Sequence, residues 1–375
     1  MKGLYIHIPF CRSKCPYCDF YSMPRKAGSI EAYITALKDE IETGRRTMQF
    51  TAGSDLTFDT VYFGGGTPSV LTAFQLGDIL DTVRMNYTIT DDAEITVECN
   101  PSTVDEEYFR AIASFGVNRI SLGMQSAVDS ERRLLGRHAD RYQVEKCIEA
   151  SRNCGITNIS LDVMLGVPEQ TIESLNDTIS FLINSDVPHI SAYMLSIEEG
   201  TVFDKKQSAL NLPDEDTVCD MYSLLSQKLV EYGYEHYEIS NFAKKGFESR
   251  HNTKYWQCEE YLGLGPSAHS FIDGKRFYFE RNADAFNAGC EAVFDDLGGD
   301  SEEYIMLTLR LKKGLSDTAY KERFGCSIPD GIFRNAEKFQ KSGHISINNG
   351  TISLTEKGML ISNYIISNLS EEDLL

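Results

Sequence analysis

The sequence predicts an α/β fold: a partial (β/α)6 TIM-like barrel, followed by a small C-terminal module that is mostly helical and winged-helix-like. Strand-like and helix-like segments alternate over residues 1–233, which is typical of parallel strands joined by right-handed crossovers. No GxGxxG pattern follows the first strand, so the start of a dinucleotide-binding domain is not indicated. Polar residues and glycines follow the strands, at the carboxyl end of the barrel, where folds of this kind place their active sites.

The predicted elements follow from the spacing of apolar residues. The six strands are Leu4–Ile8, Thr60–Phe63, Glu94–Glu98, Arg119–Met124, Ile159–Leu165 and His189–Leu195. The helices are Ile30–Arg46, Ala73–Met85, Asp105–Phe115, Tyr142–Cys154, Ile172–Ser185 and Asp214–Tyr232. Beyond the barrel region 1–233 we expect a connecting segment, 234–300, rich in aromatic residues and glycine, and then the C-terminal module, 301–375.

The C-terminal module is expected to contain one hairpin. Its strands would be Ile345–Ile347 and Thr351–Leu354, around Asn348-Asn349-Gly350. Asn-Gly favours a type I′ turn between antiparallel strands. Winged helices often bind DNA, but this one is not basic enough to favour that role. We expect docking or packing instead.

The composition excludes some classes of function. The chain has 375 residues with 36 basic and 56 acidic side chains, a formal net charge of −20. Phosphate contacts need Lys and Arg, so a nucleic-acid partner is not expected. Neither a signal peptide nor an apolar run of about 18 residues is recognised, which predicts a cytoplasmic protein. Thiols stay reduced there, so the ten cysteines should be core residues, metal ligands or nucleophiles.

Three cysteines, Cys11, Cys15 and Cys18, follow the first strand closely. Zinc normally takes four ligands, and neither a second CxxC nor a His at finger spacing follows. A [4Fe–4S] cluster also takes four, so three thiolates leave one iron open to a small molecule such as S-adenosylmethionine (SAM). Electron transfer into the sulfonium then breaks a C–S bond. Three packed core cysteines, or a fourth ligand elsewhere, remain as alternatives.

The CxxxCxxC spacing resembles the radical SAM superfamily. Residues 5–20 resemble, more closely, the family of oxygen-independent coproporphyrinogen III oxidase and the heme chaperones related to it. The similarity extends through GGGTP at 64–68, SLGMQS at 121–126, DVMLGVPEQT at 162–171, HNTKYW at 251–256, YLGLGPSAHS at 261–270 and EEYIMLTLRLKKG at 302–314. This resemblance implies a barrel of the radical SAM type with the family's C-terminal module.

The resemblance also implies the site residues. Cys11, Cys15 and Cys18 would bind a [4Fe–4S] cluster. The SAM-binding residues would be Tyr5, Tyr17, Gly65, Gly66, Thr67, Glu98, Gln125, Arg137 and Asp162. From the residues alone, Arg137 also fits a surface cation and Asp162 a capped strand end. His7 is expected to be a structural hydrogen-bonding residue, and Cys99 should face the site because it adjoins Glu98.

Two departures separate the chain from the oxidase. Phe20 stands where the oxidase carries another cysteine, and the cluster loop begins at Cys11, which leaves no room for the oxidase's long N-terminal extension. The heme chaperones instead share the HNxxYW segment, with His251, Asn252, Tyr255 and Trp256 as candidate heme contacts. An imidazole is a common axial ligand to heme iron, and Lys254 would meet a propionate. His269 is a competing ligand, and a structural role for His251 in a loop closing the barrel stays open.

The favoured hypothesis is therefore a heme chaperone that binds heme, a [4Fe–4S] cluster and SAM. It would deliver heme to respiratory membrane hemoproteins by peripheral contact. The alternative is a coproporphyrinogen III oxidase. A radical SAM enzyme that modifies nucleic acid is a third hypothesis, which the acidity disfavours. The same acidity neither demands nor excludes a homodimer.

Overall fold

The structure, a computed structural model, describes residues 1–26 and 28–370 and confirms the predicted α/β barrel. Its six parallel strands follow one another in chain order. They are β1 (Lys2–Ile8), β2 (Thr57–Gly65), β3 (Thr88–Cys99), β4 (Arg119–Gln125), β5 (Asn158–Leu165) and β6 (His189–Met194). The last five residues of the predicted module 301–375 lie outside the described residues.

Each barrel strand has an apolar outer face and a polar inner face. In β1, Leu4, Ile6 and Ile8 belong to the main hydrophobic core. The alternate residue Tyr5 points the other way, in register with Tyr62 of β2. The inner positions of the other strands include Glu98, Arg119, Ser121, Asp162, His189 and Tyr193. The apolar packing that stabilises the barrel therefore lies outside it, and the interior is left for polar groups.

The helices that cover the barrel begin at polar caps. Thr72, Asp140 and Thr171 each accept a hydrogen bond from the third residue of the helix they precede. The main helices are Ser29–Thr43, Ala73–Asn86, Glu106–Ser114, Arg141–Asn153, Ile172–Ser185 and Glu215–Glu231. Short helical turns lie at Met48–Thr51, Pro68–Val70, Asp129–Leu134, Val202–Lys205 and Gln207–Ala209. Among the described residues, the helices are too short or too polar to cross a membrane.

Residues 235–297 extend the barrel sheet at both edges. Tyr261–Leu264 pairs in parallel with β1, and Asn241–Ala243 pairs antiparallel with β6. The further strands are Glu235–Glu238 at one edge, and His269–Ile272, Lys275–Tyr278 and Val293–Leu297 at the other. Within the described part of the chain, twelve strands thus form one open sheet. The division at residues 233 and 300 stays a prediction, although the middle region shares this sheet.

The remaining helices complete the fold. Arg250–Trp256 and Ala283–Asn287 flank the added strands. The C-terminal helices are Ser301–Thr308, Asp317–Phe324, Asp330–Lys341, Glu356–Leu360 and Ser362–Ser370. They pack with a small sheet made of Leu315–Ser316, Thr351–Leu354 and Ile345–Asn348. Asn349 and Gly350 have φ angles of 49° and 75°, as the predicted type I′ turn requires.

Candidate functional site

The carboxyl ends of the barrel strands surround a cavity of about 690 Å³. Most of the predicted cofactor residues line it, namely Cys11, Cys15, Cys18, Tyr17, Gly65, Gly66, Thr67, Glu98, Gln125, Arg137 and Asp162. These residues come from six separate stretches of sequence. The parallel arrangement brings them together because all six strands end on the same side of the barrel.

The cysteine loop leaves β1 and returns beside it. A short parallel ladder pairs Phe10–Cys11 with Met23–Pro24, and the Met23 amide donates to the Pro9 carbonyl at 2.8 Å. The next barrel strand also holds the loop, because the Thr67 amide donates to the Phe10 carbonyl at 2.8 Å. Both ends of the loop are therefore anchored by backbone hydrogen bonds.

Hydrogen bonds with other segments of the chain fix the middle of the same loop. The Arg137 guanidinium donates to the Tyr17 hydroxyl at 2.8 and 3.2 Å. The Phe203 amide donates to the Pro16 carbonyl at 2.9 Å. His7 contacts the Tyr21 carbonyl through Nε2 at 2.9 Å, which is the structural role expected for this histidine. The cysteines thus lie on a loop whose shape is set by three other parts of the chain.

The three thiols suit an iron–sulfur cluster better than a single ion. Burial raises the pKa of Cys18, the neighbouring thiols of Cys15 and Cys11 raise it further, and all three cysteines line the same cavity. Among the described residues, no three His, Cys, Asp or Glu side chains converge closely enough to hold one metal ion. In a cluster each thiolate binds a different iron, so such convergence is not needed. The donor set fits a [4Fe–4S] cluster.

The glycines after β2 let the backbone pass close to the cysteine loop. The Gly66 amide donates to the Ile8 carbonyl at 2.8 Å. A Cβ atom on Gly66 would lie 2.7 Å from the Phe10 carbonyl oxygen. Gly65 adopts a φ of 110°, which favours glycine. The adjoining Thr67 hydroxyl lies 3.4 Å from the Cys11 sulfur, so this turn and the cysteine loop form one wall of the cavity.

Two carboxyl groups form the floor of the cavity. Burial raises the pKa of Glu98 to about 7, although a hydrogen bond from Tyr62 lowers it. Burial likewise raises the pKa of Asp162 to about 6, against a hydrogen bond from Ser121. Ionised carboxylates in such a place are most stable beside a cation. SAM carries a sulfonium and an ammonium group, so this floor fits it.

Gln125 occupies a strained position at the end of β4. Its φ angle is 71°, which is uncommon for a residue other than glycine, and the register of β4 with β5 shifts at this point. A Cβ atom added to Gly123 would lie 3.2 Å from the Gln125 amide and 3.5 Å from the Arg137 guanidinium. Strain of this kind is held by surrounding structure and is concentrated at functional sites.

Tyr5 lies deeper than the other predicted SAM residues. Its hydroxyl is 3.1 Å from Nδ1 of His7, and its ring stacks on Tyr62 with centroids 6.1 Å apart. It packs inside the barrel beneath the cavity wall. Cys99 does line the cavity, but its thiol donates to the Val97 carbonyl, and burial raises its pKa well above the usual value. Because this thiol already donates within its own strand, we do not expect Cys99 to bind the cluster.

The HNxxYW segment lies at the opposite end of the barrel. It forms the helix Arg250–Trp256, whose residues contact β2 and β3. The His251 amide donates to Glu94 at 3.1 Å, and its Nδ1 lies 2.8 Å from the Thr60 hydroxyl. Its Nε2 lies 2.8 Å from the Tyr255 hydroxyl, and the residue is 1% exposed. With both ring nitrogens engaged, His251 offers no lone pair to a heme iron in this conformation.

The other candidate heme contacts on this helix are engaged as well. Lys254 forms ion pairs at 2.9 Å with both Asp59 and Glu259, so it is not placed to meet a propionate. The Trp256 ring lies under the Arg310 guanidinium at 5.7 Å. The Asn252 amide donates to the Ser249 hydroxyl that caps the helix. The helix closes the amino end of the barrel, which agrees with the structural alternative left open for His251, and the heme contacts of this helix stay predictions.

Several cavity residues carry no signal in the sequence. Ser121, Tyr193 and His138 line the cavity. Ser121 and Tyr193 occupy inner strand positions, which become apparent only when the strand register is known. His138 adjoins Arg137, and a lone histidine beside an arginine has no distinctive spacing. His269, the competing heme ligand, lies on an added strand and stacks on Tyr278 with centroids 5.2 Å apart.

Comparisons with known proteins agree with this architecture. Residues 5–182 match the radical SAM superfamily, and residues 301–361 match the HemN C-terminal domain. The heme chaperone HemW of Bacillus subtilis is 34% identical over 97% of this chain and 98% of its own. The heme chaperone HemW of Lactococcus lactis is 32% identical over 100% of this chain and 98% of its own. The structure of coproporphyrinogen III oxidase (HemN) from Escherichia coli superposes with a TM-score of 0.83 and 22% sequence identity. The superposition covers 98% of this chain and 89% of that one, so the two proteins share a fold.

Proposed function

Since the chain belongs to the family of the heme chaperone HemW, within the radical SAM superfamily, we propose that it binds heme at the open end of the barrel and delivers it to other proteins. A [4Fe–4S] cluster and SAM would occupy the cavity beneath the heme. Respiratory membrane hemoproteins would be the recipients, reached by peripheral contact.

The proposed cofactor-binding residues fall into groups with different chemical roles. Cys11, Cys15 and Cys18 would bind three irons of the cluster. The backbone of Gly65 and Gly66 and the hydroxyl of Thr67 would face the amino and carboxylate groups of SAM, with Tyr17, Gln125 and Arg137 beside them. Glu98 and Asp162 would offset its positive charge. When bound, the cluster supplies an electron that can break a C–S bond of SAM.

The observation that carries the heme proposal is the apolar rim of the cavity. Phe20 and Tyr193 line the cavity, yet they are 69% and 42% exposed. Large apolar side chains grouped at the edge of a cavity typically mark a ligand or partner site. A heme macrocycle is flat and apolar, and aromatic rings stack well on such a surface.

The rim also offers an imidazole and a cation. His138 is exposed and lines the cavity, whereas His7, His189, His236 and His251 are buried. We assign His138 as the axial ligand on this ground. Arg12 lines the same cavity and donates to the Ser102 carbonyl at 2.9 Å, and its guanidinium would turn to a heme propionate when heme binds. Phe20, at the position of the oxidase's additional cysteine, would serve as an apolar contact instead.

Heme titration of single-histidine variants tests the site. Replacing His138 by Ala should shift the Soret band of the bound heme and weaken binding. His269→Ala is a matched control, since this histidine is also exposed but lies outside the cavity lining. An unchanged spectrum in His138→Ala, with a changed spectrum in His269→Ala or His251→Ala, would contradict the assignment.

Two further assays test the chaperone role. Anaerobic protein supplied with coproporphyrinogen, SAM and a reductant should give no protoporphyrinogen, and steady turnover would show an oxidase instead. For delivery, heme-loaded protein is mixed with membrane vesicles that contain a heme-free respiratory oxidase. Heme should move to these vesicles faster than to vesicles of the same lipid without the oxidase, and equal rates would contradict specific delivery.

A further inference from the structure

Three aromatic rings stack in the barrel interior beneath Glu98. Tyr62 is 8% exposed, and its hydroxyl donates to Oε1 of Glu98 at 2.8 Å. The Tyr62 ring is stacked with His251 at a centroid distance of 5.0 Å and with Tyr5 at 6.1 Å. The planes differ by only 24° and 28°. These contacts connect the helix that closes the barrel to a carboxylate on the floor of the cofactor cavity.

The ring at the base of this stack cannot turn freely. Nδ1 of His251 lies 2.8 Å from the Thr60 hydroxyl, and its Nε2 lies 2.8 Å from the Tyr255 hydroxyl. Hydrogen bonds on both sides of an imidazole fix the plane of the ring. Tyr62 therefore rests on a surface of fixed orientation, and its hydroxyl is aimed at one oxygen of Glu98.

Two glycines leave space for the stack. A Cβ atom on Gly64 would lie 2.9 Å from the Tyr62 ring, 3.0 Å from the Tyr5 ring and 3.2 Å from Oε1 of Glu98. A Cβ atom on Gly3 would lie 3.1 Å from the His251 ring. Glycine inside a strand often marks close approach of other groups. The strands thus carry no side chain at the two points where one would displace the stack.

We propose that Tyr62 is a positioning residue that holds the Glu98 carboxylate in the orientation that receives SAM, and that His251 acts on Glu98 through Tyr62. This inference rests on the proposed function, which places SAM above Glu98. In this role His251, the histidine of HNxxYW, acts without contacting a ligand.

The hydrogen bond also affects the charge of Glu98. Burial raises its pKa to about 7, while the bond from Tyr62 lowers it. The groups that face Glu98 are Tyr5, Tyr62, Arg119, Asp162, Tyr193 and Tyr255. Removing the Tyr62 hydroxyl takes away a neutral donor and leaves the charged groups Arg119 and Asp162 in place. The pKa of Glu98 should therefore rise further, and ionisation should need a higher pH.

The test is equilibrium dialysis of SAM against the anaerobic, cluster-loaded chain between about pH 6 and pH 9. At about pH 8, Tyr62→Phe should weaken SAM binding by up to about tenfold, because one hydrogen bond to a charged group sets the upper limit of the effect. The midpoint of the pH profile should also move upward. His251→Gln should move both quantities in the same direction, by less.

Tyr234→Phe is the matched control, because it removes a buried tyrosine hydrogen bond, to the Val187 carbonyl at 2.6 Å, away from the cavity. It should leave the SAM affinity and the pH midpoint unchanged. Equal SAM binding in wild type and Tyr62→Phe, with one midpoint, would overturn the inference. Loss of cluster iron in Tyr62→Phe would also overturn it, since Tyr62 would then act on the fold. A wild-type chain that fails to bind SAM would instead refute the proposed function.

Discussion

Replacing Gly66 by Ala should separate the turn after β2 from the cysteine loop. The new Cβ would meet three backbone atoms, the closest being the Phe10 carbonyl oxygen at 2.7 Å. Ordinary contact begins at 3.4 Å, so one backbone must move by about 0.7 Å. The hydrogen bonds from Gly66 to Ile8 and from Thr67 to Phe10, both 2.8 Å long, would stretch to about 3.5 Å.

At that length both hydrogen bonds are largely lost. At about 1 kcal/mol each, the closed loop loses about 2 kcal/mol, or about thirtyfold in its population. The assay is anaerobic reconstitution at limiting iron, followed by iron and sulfide analysis. Gly331→Ala is the control, since a Cβ there meets only a flexible arginine end at 3.7 Å. Wild-type iron uptake and thermal stability in Gly66→Ala would refute the reasoning.

Three other predictions follow from the buried groups. Glu98→Gln should raise the melting temperature of the SAM-free chain at about pH 8 but not at about pH 5. The reason is that burial raises the pKa of Glu98 to about 7. The stability that the buried neutral carboxyl contributes is therefore lost as the pH rises through 7. Equal effects at both pH values would contradict this. Burial lowers the pKa of His251 to about 3, so the stability of the folded chain falls as the pH drops below 6.5. In acid titrations followed by circular dichroism, His251→Gln should lose less stability than the wild type. Cys99→Ala should retain four irons per chain in iron analysis, and a loss of iron would make Cys99 a ligand.

The cofactor end of the barrel was predictable because each strand and the turn after it are adjacent in sequence. Glycines and polar residues follow β2, β3 and β5 directly, and parallel strands place their ends together. The family pattern added Arg137, which lies in the connection after β4. Its contact with the Tyr17 hydroxyl at 2.8 Å depends on a fold that brings distant segments together.

The place of HNxxYW could not be read from local pattern. The helix Arg250–Trp256 closes the amino end of the barrel because the next strand, Tyr261–Leu264, pairs with β1. That pairing joins residues more than 250 positions apart, and no local propensity specifies it. Tyr62 was missed for a similar reason: a single tyrosine in an apolar strand becomes significant only when the register sets it beside Tyr5.

Heme binding by the anaerobic, cluster-loaded chain tests the central claim most directly. Heme is titrated into the protein and followed by the Soret band, and unbound heme is then removed by gel filtration. We expect a saturable shift, a fixed amount of heme retained per chain, and loss of that retention when both rim contacts, Phe20 and His138, are replaced by Ala. A titration without saturation, or equal retention by the double variant, would contradict a heme site at the open end of the barrel.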